Sequence, residues 1–394
     1  MTRIAALTPG TAAYRRANLA LFLGGWATFA LLYGPQPLLP LFAGEFEVSA
    51  ASASLLVSMA TATLALTLVP ASLLADRYGR SRMMKGSLVL AVLCALLLPL
   101  AETFLQLVVL RGLAGVATAG LPAAAMAWLG DEMSPTARGR AMGLYIAGNA
   151  LGGMSGRFLA ALVADLASWQ VAFMVLGLLG LGAAMAFWYL LPPALHFTPR
   201  SLRPRALLRD AMLLLRDPGL PWLFLVAFLL MGAFVSFYNY LGFRLSLAPF
   251  ELGQTAIGAL FLLYALGTWS SAASGRLVDR HGPWRVTLAM AGVMGAGLLL
   301  SLTVNLSVLI AGVALFTFGF FGVHATASGW VGARSQSCRA LASALYLTSY
   351  YLGGSIPPLV AGIVWDRGQW PALVLLLTVL LLFLLGVVLR LRHR

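Results

Sequence analysis

Two arginines and a histidine fall inside long apolar runs of this 394-residue chain: Arg111, Arg157 and His324. A guanidinium group is always charged and offers a planar fork of donors, so Arg111 and Arg157 could hold an anion or backbone carbonyl oxygens. An unperturbed imidazole titrates near pH ~6.5, so His324 could take up and release a proton. On a helix, Thr317, Phe321, His324 and Ser328 follow at spacings of 4, 3 and 4 and form one stripe. Other polar and aromatic groups within apolar runs could complete a small-molecule pocket. Trp26, Tyr33 and Gln36 fall roughly on one face of the first run. Asn149 interrupts the fifth and Tyr238 with Asn239 the seventh, and Tyr346 and Tyr350 stand four apart. Packing is the ordinary alternative for each of them, and for Arg157 it is snorkelling to the interface or bonding to backbone carbonyls.

The missing chemistry is equally informative. The acids are Glu45, Glu47, Asp76, Glu102, Asp131, Glu132, Asp165, Asp210, Asp217, Glu251, Asp279 and Asp366. Every one lies in a connection or at the end of an apolar run. No Ser/His/Asp arrangement, metal-ligand cluster or G-x-x-x-x-G-K-[ST] motif occurs, which argues against an enzyme, a metal or other cofactor, and an ATP-driven pump. Cys94 lies in an apolar run and Cys338 in a basic loop, so neither a disulfide nor a metal site is expected.

The elements that must carry these residues follow from composition. The chain is 61% hydrophobic and 10% charged, with a mean hydropathy of +0.91, whereas soluble domains are about one-quarter charged. Apolar runs of ~20 residues cross a ~30 Å hydrocarbon core as helices. Barrel strands are half that length and alternate, so a barrel is excluded. Twelve spans are expected: 18–42, 52–74, 85–101, 104–128, 141–164, 169–191, 221–243, 252–274, 286–304, 306–330, 341–365 and 371–389. The first run is too long for a cleavable signal segment. Of the 26 basic residues, 22 fall on one side of this arrangement, and only Arg111, Arg157, Arg244 and Arg367 are left over. That asymmetry places both termini in the cytoplasm, and it explains the net charge of +14 without nucleic acid. At these depths Arg111 sits ~10 Å and Arg157 ~12 Å inside the outer ends of their spans. Charges so placed face a cavity or a partner.

The chain divides into residues 1–191, a polar linker over 192–220, and residues 221–394. Within the linker, 205–216 reads as a basic amphipathic helix, suited to lie on anionic membrane lipid. The two halves repeat. Leu144, Tyr145, Leu151, Gly152, Gly153, Asp165 and Trp169 match Leu345, Tyr346, Leu352, Gly353, Gly354, Asp366 and Trp370, every pair offset by 201. "SLLADRYGR" at 72–80 recurs as "GRLVDRHGP" at 275–283, offset by 203. From its fourth residue onward the first copy lies in "ADRYGRSRMMK" at 75–85, five charges in eleven residues of a chain otherwise poor in them.

Two parallel six-span repeats, each carrying this loop, resemble the major facilitator superfamily. Its G-x-x-x-D-R-x-G-R signature is matched by Ser72, Asp76, Arg77, Gly79 and Arg80, and by Gly275, Asp279, Arg280 and Gly282, with Pro283 where an arginine is usual. "RGLAGVATAG" at 111–120 is similar to the fourth-span motif of the family's drug:proton antiporters. "GNALGGMSGR" at 148–157 and "SYYLGGSIPP" at 349–358 resemble its YnfM-type, or acriflavine-sensitivity, branch. In the antiporter motif of span five, Gly153 replaces a proline and Arg157 a glycine.

The resemblance implies an all-α membrane protein of twelve transmembrane helices in two pseudo-symmetric six-helix bundles, working as a monomer in the bacterial inner membrane. It implies proton-linked efflux of small organic compounds. It also implies a conformational latch on the cytoplasmic side, made by Asp76, Arg77, Gly79, Arg80, Asp131, Asp279, Arg280 and Gly282. Glu132 is the alternative to Asp131, and enforcing topology alone is the alternative to a latch. The acid-poor, arginine-bearing cavity favours a neutral or anionic substrate over a permanent cation. Uniport, metabolite transport without proton exchange, and export of cationic drugs remain the alternatives.

Overall fold

The computed structural model describes residues 6–199, 204–335 and 338–392. Arg3, Arg200, Arg203 and Arg394, which enter the charge asymmetry, lie outside the described residues. Apolar helices follow one another along the chain because a backbone in lipid must satisfy its own polar groups. They are α1 (Ala12–Tyr33), α2 (Leu39–Glu45), α3 (Ala50–Ala53), α4 (Leu55–Tyr78), α5 (Arg80–Leu97), α6 (Phe104–Thr118), α7 (Gly120–Glu132), α8 (Pro135–Leu166) and α9 (Trp169–Leu190). After the linker come α10 (Pro204–Arg216), α11 (Leu220–Ser246), α12 (Gln254–Ala259), α13 (Ala265–His281), α14 (Pro283–Leu300), α15 (Leu306–Arg334), α16 (Arg339–Gly353) and α17 (Ile356–Leu391). No strand occurs among the described residues; only an isolated bridge ties Leu7 to Met133.

Eleven stretches of the described residues are long and apolar enough to cross a membrane. The last, Arg339–Leu391, has 53 residues, or ~80 Å of helix against a ~30 Å core. It is interrupted by a turn at Gly354 and Ser355 and broken again at Gly368 and Gln369, where the backbone of these last two is non-helical. The second break separates the eleventh span from the twelfth, between the expected 341–365 and 371–389. Small residues then set how closely the helices pack. A Cβ on Gly148, Gly152 or Gly156 would collide with the backbone of α1 at Phe22, Trp26 and Ala30. The repeat reproduces this contact: a Cβ on Gly353 of α16 would strike the backbone of α11 at Phe228.

The chain forms two compact units. One holds Met1–Pro35 and Thr63–Leu202; the other holds Gln36–Ala62 and Arg203–Arg394. The second unit thus takes in a segment that the sequence division assigns to residues 1–191. Packing accounts for it. A Cβ on Gly362 of α17 would meet Ala51 of α3, and Thr61 hydrogen-bonds Ser355 at 2.8 Å.

Candidate functional site

In the first unit the candidate residues gather at the end of α1. Its last turn leaves carbonyl oxygens without intrahelical donors. Arg111, on α6 and 1% exposed, donates from Nη1 to the Leu31 carbonyl at 3.0 Å and from Nη2 to that of Leu32. Arg157, on α8 and 4% exposed, lays its guanidinium 4.2 Å from the centroid of the Tyr33 ring. Its Nη1 donates to the Gly153 carbonyl one turn back at 2.5 Å. So the two buried cations meet on one helix end, whose partial negative charge suits them. Asn149 sits higher on α8, its Oδ1 pressed over Gly25. Trp26 donates to Ser155 Oγ at 2.9 Å.

Gln36 lies beyond the end of the helix that carries Trp26 and Tyr33. The α-helix stops at Tyr33, and Gln36 opens a 3-10 turn packed within the second unit. This corrects the expected stripe of Trp26, Tyr33 and Gln36. The physical reason is Pro35, which lacks the N–H that would continue the ladder, even though Gly34 before it keeps α backbone.

In the second unit Gln36 Nε2 donates to Asn239 Oδ1 at 2.8 Å, both side chains buried. One residue earlier, the Tyr238 hydroxyl meets Thr317 Oγ1 at 2.6 Å. Two turns along α15, His324 Nδ1 lies 3.2 Å from the Tyr346 hydroxyl. Its ring is 4.6 Å from that of Tyr350 and parallel to that of Phe320. The expected stripe on α15 therefore joins two tyrosines from different helices, with Phe234 and Phe320 stacked at 3.6 Å between them. The cluster offers ring faces, one imidazole and few hydroxyls, and no carboxylate belongs to it.

The charged loop is built asymmetrically in the two copies. Gly79 and Gly282 both have positive φ, 109° and 78°, a region where a side chain is strained, so both turns need glycine. In the first copy Arg80 is buried. It donates from Nη2 to Asp76 Oδ1 at 2.8 Å, from Nη1 to the Ala127 carbonyl at 3.0 Å, and to Asp131 Oδ2. Arg77 is exposed and reaches the neighbouring Tyr78 ring. In the second copy the position of Arg80 is Pro283, and Asp279 and Arg280 are exposed with no ion pair among the described residues.

Glu132 does not join the network around Arg80. Its buried carboxylate accepts the backbone N–H groups of Leu195 and His196 at 3.1 and 2.9 Å and lies 2.9 Å from His196 Nδ1. It thus pins the start of the linker to the end of α7. A second ion pair was not foreseen. Arg334 Nε donates to Asp217 Oδ1 at 2.6 Å, and that oxygen also accepts the Gly219 and Leu220 amides at 2.7 and 2.8 Å. Burial would raise the Asp217 carboxyl pKa, but Arg334 and the two amides hold it below the usual range. The repeat gives no signal for it: 203 residues before Arg334 stands Asp131, but 203 before Asp217 stands Tyr14.

Two bundles of apolar helices with repeated, glycine-mediated packing define a polytopic transport protein of the two-repeat kind. The family model for the Major Facilitator Superfamily matches residues 21–357. The chain is 41% identical over 385 residues to the inner membrane transport protein YnfM of Escherichia coli, covering 98% of this chain and 92% of that one. It is 40% identical over 373 residues to the uncharacterized MFS-type transporter YybF of Bacillus subtilis, covering 95% and 92%. In fold it is similar to a bacterial homolog of the human lysosomal transporter Spinster, with a TM-score of 0.79 at 16% identity and 97% of each chain covered. It is also similar to the human organic anion transporter MFSD10, with a TM-score of 0.67 at 20% identity, covering 97% of this chain and 100% of that one. The chain belongs to the Major Facilitator Superfamily, in its YnfM-type branch. It is a multi-pass membrane protein and a secondary transporter of small molecules, not an enzyme.

Proposed function

We propose that this transporter exports small organic compounds from the cytoplasm in exchange for protons, and that its substrates are neutral or anionic rather than permanent cations. The observation that carries this reading is the pair Arg111 and Arg157, both buried at one end of α1, in a chain whose twelve carboxylates lie in connections, in the last turns of helices, in the linker helix α10 (Asp210) or beside the break in α17 (Asp366). A cavity whose buried charge is positive repels a lipophilic cation and attracts an anion. His324 is the group that takes the coupled proton, held against Tyr346 within an apolar helix. The residues around Asp76, Arg80 and Asp131 form the cytoplasmic latch, and Asp279 and Arg280 act as its weaker counterpart. The protein works as a monomer in the inner membrane with both termini cytoplasmic, as the E. coli relative's name and the charge asymmetry support.

The test is reconstitution into liposomes under an imposed pH gradient, followed by addition of an organic anion, a neutral pentose and a lipophilic cation in turn. Discharge of the gradient by the anion or the pentose is expected, and its loss in Arg111→Ala and Arg157→Ala. Discharge by the cation alone, intact in both variants, overturns the substrate class. Substrate uptake that leaves the gradient untouched overturns proton exchange and makes the protein a uniporter.

A further inference from the structure

A groove of about 410 Å³ lies between α5 and α9 of the first unit, on a face the transport reading does not use. Val89, Leu93, Leu96, Leu181, Met185 and Trp188 line it. Four of these are at least two-fifths exposed, so in a membrane they face lipid. The lining runs from Val89 to Leu96, about 10 Å along the helix. The size falls within the ~300–1,000 Å³ typical of ligand sites. One end is basic. Lys85, the only lysine of the chain, stands one turn before Val89 and on the same face. Its Nζ is 4.8 Å from the Trp188 ring centroid. Arg16 reaches the same end from α1 and donates to the Tyr189 carbonyl at 2.7 Å.

We propose that this groove holds an acyl chain of one anionic phospholipid, whose phosphate rests against Lys85 and Arg16. An acyl chain gains little by moving from one apolar medium to another. The headgroup must therefore decide occupancy, and the two cations at the mouth select a negative one. Trp188 and Tyr189 at that end are the residues that prefer the headgroup level. A second copy of this chain fits less well, because a two-fold contact through this face would set Lys85 and Arg16 against their own copies.

The test uses the full-length protein in nanodiscs of phosphatidylglycerol mixed with phosphatidylcholine, with a photoreactive group on the phosphatidylglycerol acyl chain. Labelling is expected to concentrate on peptides spanning 89–96 and 181–189. Leu181→Trp, at a partly exposed position, fills the groove and lowers labelling there about tenfold. Lys85→Gln and Arg16→Gln each lower the preference for phosphatidylglycerol about fivefold, the scale of one basic residue near an anionic surface. Millimolar inorganic phosphate leaves labelling unchanged. Even labelling of all apolar faces overturns the proposal, as does selectivity unchanged in Lys85→Gln. Displacement by phosphate, or crosslinks between two copies through this groove, would assign it another occupant.

Discussion

Arg157 and Tyr33 face each other across two helices, guanidinium over ring at 4.2 Å, at the point where α1 ends. Such a contact stabilises by roughly 0.5–2 kcal/mol, more when it is desolvated. It depends on the ring and not on the hydroxyl. Tyr33→Phe is therefore expected to keep near wild-type thermal stability, and Tyr33→Leu to lose about 1 kcal/mol or more. Unfolding monitored by tryptophan fluorescence in detergent separates the two, and equal losses would show that the ring face is not used.

The paired glycine contacts predict paired failures. Gly152→Leu and Gly353→Leu each force a side chain into a neighbouring helix backbone, and overpacking costs ~1–3 kcal/mol or more. Both variants should lose most of their monodisperse peak in size-exclusion chromatography. Gly139→Leu, where a Cβ meets open space, should not.

The two loop copies predict unequal effects. Arg80→Ala leaves Asp76 and Asp131 without their shared partner, and it removes the bond to the Ala127 carbonyl. With both acids partly exposed, a loss of about 2 kcal/mol is expected after allowing for solvent screening. Asp279→Asn, at an exposed unpaired site, should stay within about 0.5 kcal/mol. Denaturation midpoints of the two variants check this.

Asp217 predicts a pH dependence. Its folded carboxyl is held below the usual range, so its contribution is fully present above the unfolded value of ~3.9 and is lost as pH falls through the folded value. The wild type should therefore exceed Asp217→Asn in melting temperature at pH 7. The gap should narrow below about pH 4. A gap constant from pH 7 to pH 3 would show that the charge plays no part.

His324 predicts a split between binding and coupling. Under the proposed function, His324→Gln retains substrate binding and counterflow exchange but discharges an imposed pH gradient at least about tenfold more slowly, because glutamine cannot carry the proton. Tyr346→Phe, which removes the hydroxyl opposite Nδ1, should shift the pH profile of transport while leaving it active. A His324→Gln protein with full proton coupling would assign the proton elsewhere.

Much of this was legible in the chain. Apolar runs give spans because lipid admits little else, and seven matches at one offset give the repeat. Where two glycines recur in register, the structure finds two close helix contacts. What escaped were relationships set by tertiary packing. Nothing local to Glu132 and Asp131 tells which one turns toward Arg80 and which toward the linker. Asp217 and Arg334 are 117 residues apart, joined only by the fold. Gln36 read as part of α1's face because helical periodicity was carried through Pro35.

The segment Gln36–Ala62 has a consequence for how this gene can be recombined. The polypeptide passes between its two units at three places, after Pro35, after Ala62 and after Leu202, so a cut in the linker does not separate them. A chimera joined there to a relative's second half would give α2 and α3 foreign neighbours in place of α11 and α17. A junction set that carries residues 36–62 along with the second half, replacing both stretches from the same parent, keeps each folding unit whole.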